Sequence, residues 1–135
     1  ANDFLYGVAR KTGGGIKAVA LSANSSVVTC LANDIGYESI FSEQLAVQGQ
    51  AGDLLIALSG SGNSPNIIKV LKHAKTMSIK SFAILGYSGG ESKHLADAAI
   101  HFPIDDMQLS EDLQLMVGHM VMQWLFENNP PIKEV

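Results

Sequence analysis

Asp53-Leu54-Leu55-Ile56-Ala57-Leu58 is a short continuous apolar run, the pattern of a strand buried on both faces of a parallel sheet. It breaks into Ser59-Gly60-Ser61-Gly62-Asn63-Ser64-Pro65, where small residues let backbone amides come close to a ligand and polar side chains can donate to it. Pro65 suits the first helical position and Ser64 the N-cap before it. In the helix that follows, Ile67, Ile68, Val70, Leu71 and Ala74 recur at helical spacing, with Lys69, Lys72 and Lys75 on the opposite side. Strand, hydroxyl-rich loop and helix start together predict an anion site, for a phosphate.

Spacing removes the neighbouring motifs. A dinucleotide fingerprint needs a third glycine where Pro65 stands, and a Walker A loop needs a Gly-Lys pair that is absent. Serines without a lysine favour a phosphate monoester on a small molecule over a nucleoside triphosphate. The competing reading is a Ser/Gly-rich turn that only caps a helix.

The 135 residues are expected to form a single domain spanning 1–135. A net charge of −4 without a Lys/Arg cluster argues against a nucleic-acid surface, so a phosphate must be held locally, by hydroxyls and a helix dipole. Cys30 is the only cysteine, which excludes a disulfide framework and fits a reducing compartment; among small apolar neighbours it reads as buried and inert. No apolar run has the length of a membrane span, and the expected location is the cytoplasm.

Ala1 to Lys11 reads as the end of a helix already under way, so preceding sequence and an N-terminally incomplete domain are expected. Ile16 to Ala23 reads as a strand. A helix capped by Ser25 or Ser26 should end at Asn33-Asp34-Ile35-Gly36, and another should run from Glu38 to Gln48. Ser81 to Gly86 and Ala98 to Ile104 read as further strands, with Glu91 to Ala96 a short helix between them. Pro103 marks a strand end or sheet edge. The last helix runs from about Ser110 to Glu127, stopped by Pro130-Pro131. Strands and helices alternating in this way predict an α/β fold: a three-layer α/β/α sandwich with an open parallel sheet, ligand at the C-terminal strand ends. Apolar residues point nearly all round the last helix, which implies packing against a second copy of the chain.

SGSGNS after a strand, Asn33-Asp34-x-Gly36 upstream and EDLQLMVGHMVMQWL downstream together resemble the sugar isomerase (SIS) domain, a flavodoxin-like fold. Within it they are most similar to the phosphoheptose isomerases, which convert sedoheptulose 7-phosphate to a heptose 7-phosphate for cell-envelope polysaccharide synthesis. The resemblance implies that Ser59, Gly60, Ser61, Asn63 and Ser64 hold the substrate phosphate and that Asn33 and Asp34 face the sugar. It also implies a homo-oligomer, a tetramer, through the C-terminal helix. An earlier strand, its Asn-Gly-Gly-Ser type loop and a helical His of the family are missing here. Asp3 occupies the position of a catalytic Glu, one methylene shorter. In the last helix the family places a Gln and, two turns on, a His; here these positions hold Glu111 and His119.

Moving a carbonyl between two sugar carbons needs one group to take a proton from carbon and another to serve oxygen. Asp3 and His119 are the candidates, with Glu111 near the substrate. Some family members bind zinc through His, Glu and Gln, so zinc at Asp3, Glu111 and His119 is the cofactor the resemblance allows. Two other classes compete: a non-catalytic SIS domain that binds a phosphosugar as regulator or scaffold, and a flavodoxin-like flavin protein. His73, His94 and His101 read as ordinary surface or strand residues.

Overall fold

In the computed structural model, residues 1–9 and 13–128 are described. The chain divides into two compact units, Leu21–Gln114 and Ala1–Ala20 with Leu115–Val135.

The larger unit opens with helix α1 (Ser25–Asp34). Its N-cap is Asn24, whose Oδ1 accepts the Val27 amide at 3.2 Å, so the cap falls one residue before the serines expected to supply it. A 3₁₀ turn (Tyr37–Ser39) leads into α2 (Ile40–Gln48). Strand β1 (Leu54–Ser59), helix α3 (Pro65–Thr76) and strand β2 (Lys80–Leu85) form the central β-α-β. A one-turn helix α4 (Ser92–Leu95), strand β3 (Ala98–His101) and helix α5 (Met107–Asn128) complete the order. From Leu115 onward α5 belongs to the smaller unit. The three strands are parallel in the order β1-β2-β3, an open α/β sheet as the alternation of elements predicts. β3 lies at an edge and ends just before Pro103. Among the described residues no helix is long and apolar enough to cross a membrane.

Alternate residues decide what covers the sheet. Ala57, Ala83 and Leu85 pack with Leu71 of α3, joined by Leu55, Ile67 and Leu95. Leu45 of α2 meets Val70, Ala74 and Ile79, with Phe41 and Met77 against them. Burying Leu71 completely contributes about 2 kcal/mol. The buried Gln44 amide donates to Leu21 O at 2.9 Å and Ile40 O at 2.7 Å, so its burial leaves the amide satisfied. On the other face of β1, Leu54, Ile56 and Leu58 stay 60, 47 and 52% exposed. That strand is therefore covered on one side, where its composition predicts both.

The expected strand at Ile16–Ala23 does not form. Residues 14–20 are irregular, and the Ile16 amide donates to Phe4 O at 2.9 Å. An apolar, β-prone run becomes a strand only beside a partner ladder, and the three-stranded order leaves this run unpaired. In the same unit a π-helical turn spans Asp3–Gly7, where the sequence reads as a helix end. Arg10 to Thr12 and the Pro130-Pro131 stop lie outside the described residues. On α5 the side chains of Leu115, Met116, Met120 and Trp124 are exposed.

Asp97 locks the entry to β3. It accepts from Lys80 Nζ at 3.0 Å, from the Ser81 amide at 2.9 Å and from Ser81 Oγ at 2.9 Å. The Lys80 ammonium, then the two Ser81 donors, lower its pKa to about 2 from an ordinary value of 3.8. Because the folded value is depressed, the stabilisation is complete above the ordinary value and lost as pH falls toward about 2. Asp97→Asn should therefore flatten the acid limb of a Tm-versus-pH curve in that window; an unchanged limb would mean that other carboxylates set it.

Candidate functional site

In the loop after β1 two serine hydroxyls receive the loop's own amides. Ser59 Oγ accepts the Gly62 amide at 3.0 Å and Ser61 Oγ accepts the Asn63 amide at 3.2 Å. A hydroxyl that accepts from the backbone keeps its own O–H to donate, so each serine offers a donor to an anion. Ser64 has extended N-cap geometry and Pro65 follows at the first helical position. The Ser64 hydroxyl makes no capping bond, while its carbonyl accepts from Ile67 and Ile68 at 3.0 Å each. The helix start thus retains its partial positive charge beside the serines. Gly60 has the Met107 sulfur 2.7 Å from where a Cβ would lie, with the Tyr87 ring at 3.9 Å. Those two side chains wall the loop.

Gly62 has φ +68°, and a Cβ on it would overlap Gly89 O. Glycine is required there on both counts. The loop meets the turn after β2 at this point: Ser92 N donates to Gly62 O at 3.0 Å, Gly86 N to Gly60 O at 2.9 Å, and Glu91 N to Asn63 Oδ1 at 3.0 Å. The Asn63 side-chain oxygen is engaged by the Glu91 amide, whereas a phosphate contact from this residue would use its Nδ2 donor.

Asn33 and Asp34 are exposed at the end of α1. Asn33 Nδ2 donates to Asp34 Oδ1 at 2.8 Å and Cys30 Sγ donates to Asp34 Oδ2 at 3.4 Å, which fixes the carboxylate on its own helix. Cys30 is exposed rather than buried. Its hydrogen bond to Asp34, and then that residue's charge, raise the thiol pKa; the group is held protonated, which makes it a poor nucleophile by a route other than burial. Gly36 at φ +102° turns the chain into the 3₁₀ segment. The buried Ser39 there accepts from Lys69 Nζ at 2.7 Å, tying this segment to the helix that follows the serine loop.

In the smaller unit the two candidate proton carriers meet: His119 Nε2 lies 3.3 Å from Asp3 Oδ2, with both side chains about half exposed. Asp3 also lines an open cleft of about 590 Å³ with Tyr6, Gly7, Met122 and Phe126. A Cβ on Gly7 would sit 3.2 Å from the Met122 sulfur, so the small residue sets the close approach. Glu111 is an exposed side chain early in α5, within the other unit. Among the described residues no three His, Cys, Asp or Glu side chains gather to hold a metal ion.

His101 has a structural task that its sequence context hides. Lys93 Nζ donates to Nδ1 at 3.1 Å, and Nε2–H donates to Tyr87 O at 2.9 Å. This holds Tyr87 at φ 44°, a left-handed conformation costing a non-glycine residue roughly 1 kcal/mol. The Tyr87 amide is tied to Ile104 O at 3.1 Å. No local pattern announces such a contact, because its members come from different elements.

A family model described as the SIS domain matches residues 4–86. Similar curated proteins include the phosphoheptose isomerase of Akkermansia muciniphila, 40% identical over 108 residues, which are 80% of this chain and 57% of that protein. The phosphoheptose isomerase of Sulfurimonas denitrificans is 40% identical over 106 residues, 78% of this chain and 54% of that protein. The chain thus spans little more than half the length of these relatives. Among solved structures, a phosphoheptose isomerase from Neisseria gonorrhoeae matches with a TM-score of 0.80 at 28% identity, over 90% of this chain and 68% of that one. One from Francisella tularensis matches with a TM-score of 0.81 at 22% identity over the same shares, a likeness of fold. The match from residue 4 to residue 86, over the serine loop and the Asn33–Gly36 segment alike, means that this chain belongs to the SIS domain family.

Proposed function

We propose that the chain is part of an aldose–ketose isomerase acting on a sugar phosphate, with sedoheptulose 7-phosphate as substrate and a heptose 7-phosphate as product. The observation that carries this is the pair of serine hydroxyls, Ser59 and Ser61, each accepting from a loop amide and each left with a donor, at the start of an α-helix. That arrangement suits a phosphate monoester. Ser64 joins them in holding the phosphate, Gly60 lets it approach the backbone, and Asn33, Asp34 and Glu111 serve the sugar hydroxyls. The relatives' name, phosphoheptose isomerase, supports a heptose phosphate, and we assign the product to cell-envelope polysaccharide synthesis in the cytoplasm.

Asp3 and His119 carry the protons. One takes the proton from C1 of the ketose as the C2 carbonyl oxygen is protonated, giving an enediol. Return of a proton to C2 and loss of one from the C1 hydroxyl give the aldose, so no net proton is consumed. Their 3.3 Å separation supports the assignment, since an acid and a base in contact can pass protons between them. The exposed apolar residues of α5 support association with further copies of the chain, and the resemblance implies four.

Ser61→Ala tests the reading. Loss of one hydrogen bond to a charged group should raise KM for sedoheptulose 7-phosphate about tenfold, with kcat nearly kept. An unchanged KM, together with unchanged inhibition by inorganic phosphate, would remove the loop from the substrate site. Asp3 in place of Glu and Glu111 in place of Gln favour a second reading, a phosphosugar-binding regulator. A protein that binds phosphate through Ser61 yet shows no loss of ketose would be that regulator.

A further inference from the structure

The phosphate reading uses the hydroxyls of the serine loop and leaves open what keeps them in register. Each hydroxyl is oriented by an amide, Gly62 N on Ser59 Oγ and Asn63 N on Ser61 Oγ. The peptide that carries the Asn63 amide, and the Asn63 side chain, are held from outside the loop. Gly62 O accepts Ser92 N, and Asn63 Oδ1 accepts Glu91 N, each at 3.0 Å. Packing admits no slack at the crossing: a Cβ on Gly62 would overlap Gly89 O, and one on Gly90 would lie 2.5 Å from Asn63 Oδ1. Glu91 is fixed in turn by Lys72 of α3 at 2.7 Å. That pair is exposed and contributes little by itself, but it keeps the Glu91 segment over the helix whose start forms the anion site.

We propose that Asn63 is a positioning residue: its side-chain oxygen latches the segment after β2 onto the serine loop and so sets the direction of the serine hydroxyl donors. The proposal rests on the reading of that loop as a phosphate site. It assigns Asn63 a different task from its neighbours Ser61 and Ser64, because the acceptor that could have faced a ligand's hydroxyl is turned to the Glu91 amide. A donor displaced by a fraction of a hydrogen-bond length binds an anion poorly, so the latch is felt in affinity although it lies outside the contact.

The test compares Asn63→Ala, Asn63→Asp and Ser61→Ala with the parent protein. The readouts are calorimetric titration with inorganic phosphate, amide hydrogen exchange, and steady-state turnover of sedoheptulose 7-phosphate. In Asn63→Ala the amides of Glu91 and Ser92 should exchange about tenfold faster. Phosphate affinity should fall about five- to tenfold, and KM should rise with kcat within about twofold. Asn63→Asp keeps the acceptor, so it should keep those amides protected; if the alanine variant does not fold, loss of protection in the aspartate variant overturns the proposal. Weaker phosphate binding in Asn63→Ala with Glu91 still protected would show a direct contact and also overturn it. Phosphate binding that is untouched by Asn63→Ala but weakened by Ser61→Ala sinks the latch and leaves the phosphate site standing. Binding that neither variant alters removes both.

Discussion

His119→Ala is expected to lower kcat by a factor of about 10² to 10⁴ while phosphate affinity stays near that of the parent, since a positioned acid–base group contributes on that scale. The side chain is about half exposed and its partner is Asp3 at 3.3 Å, so truncation leaves no buried charge and opens no core cavity. The fold should survive, and circular dichroism with a thermal melt verifies that. Asp3→Asn then separates roles: if the two act as one couple, the double variant is hardly worse than His119→Ala alone. Turnover near the parent value in His119→Ala would take the imidazole out of the chemistry. That outcome would return the pair to an ordinary surface contact.

Gly62→Ala is the second large effect. Two penalties coincide, a left-handed φ of +68° and a methyl placed on Gly89 O, and neither can be relieved by a rotamer. The loop has to move away from the turn after β2, and the donors of Ser59 and Ser61 move with it. Phosphate binding should become undetectable by calorimetry, and stability should fall by about 1–3 kcal/mol. A Gly62→Ala protein that melts and binds phosphate as the parent does would show that the crossing is soft, against its tight contacts.

Much of this arrangement is legible from local chemistry. The apolar run that becomes β1, the Ser64-Pro65 helix start and the 3.6-residue stripe of α3 agree with one another, and the folded chain follows them closely. The serine loop is readable for the same reason, as its function depends on residues adjacent in sequence. Long-range partners are what the sequence hides. Ile16 to Ala23 has the composition of a strand and lacks a ladder to join, which no window of residues can show. Cys30 looks buried among small apolar neighbours, yet its helix turns it outward to Asp34. His101 and Glu91 seem unremarkable until the turn after β2 is seen lying across the serine loop. The pairing of Asp3 with His119 comes from aligning two helices with a family pattern, since the residues are remote in sequence.

β1 is an outer strand among the described residues, with leucine and isoleucine side chains half in water along one side. A polypeptide with that combination is adhesive. Its margin offers unshared peptide groups to any extended segment that arrives, and the neighbouring hydrocarbon rewards the encounter. At high concentration, precipitation rather than unfolding should set how much of this chain can be kept in solution.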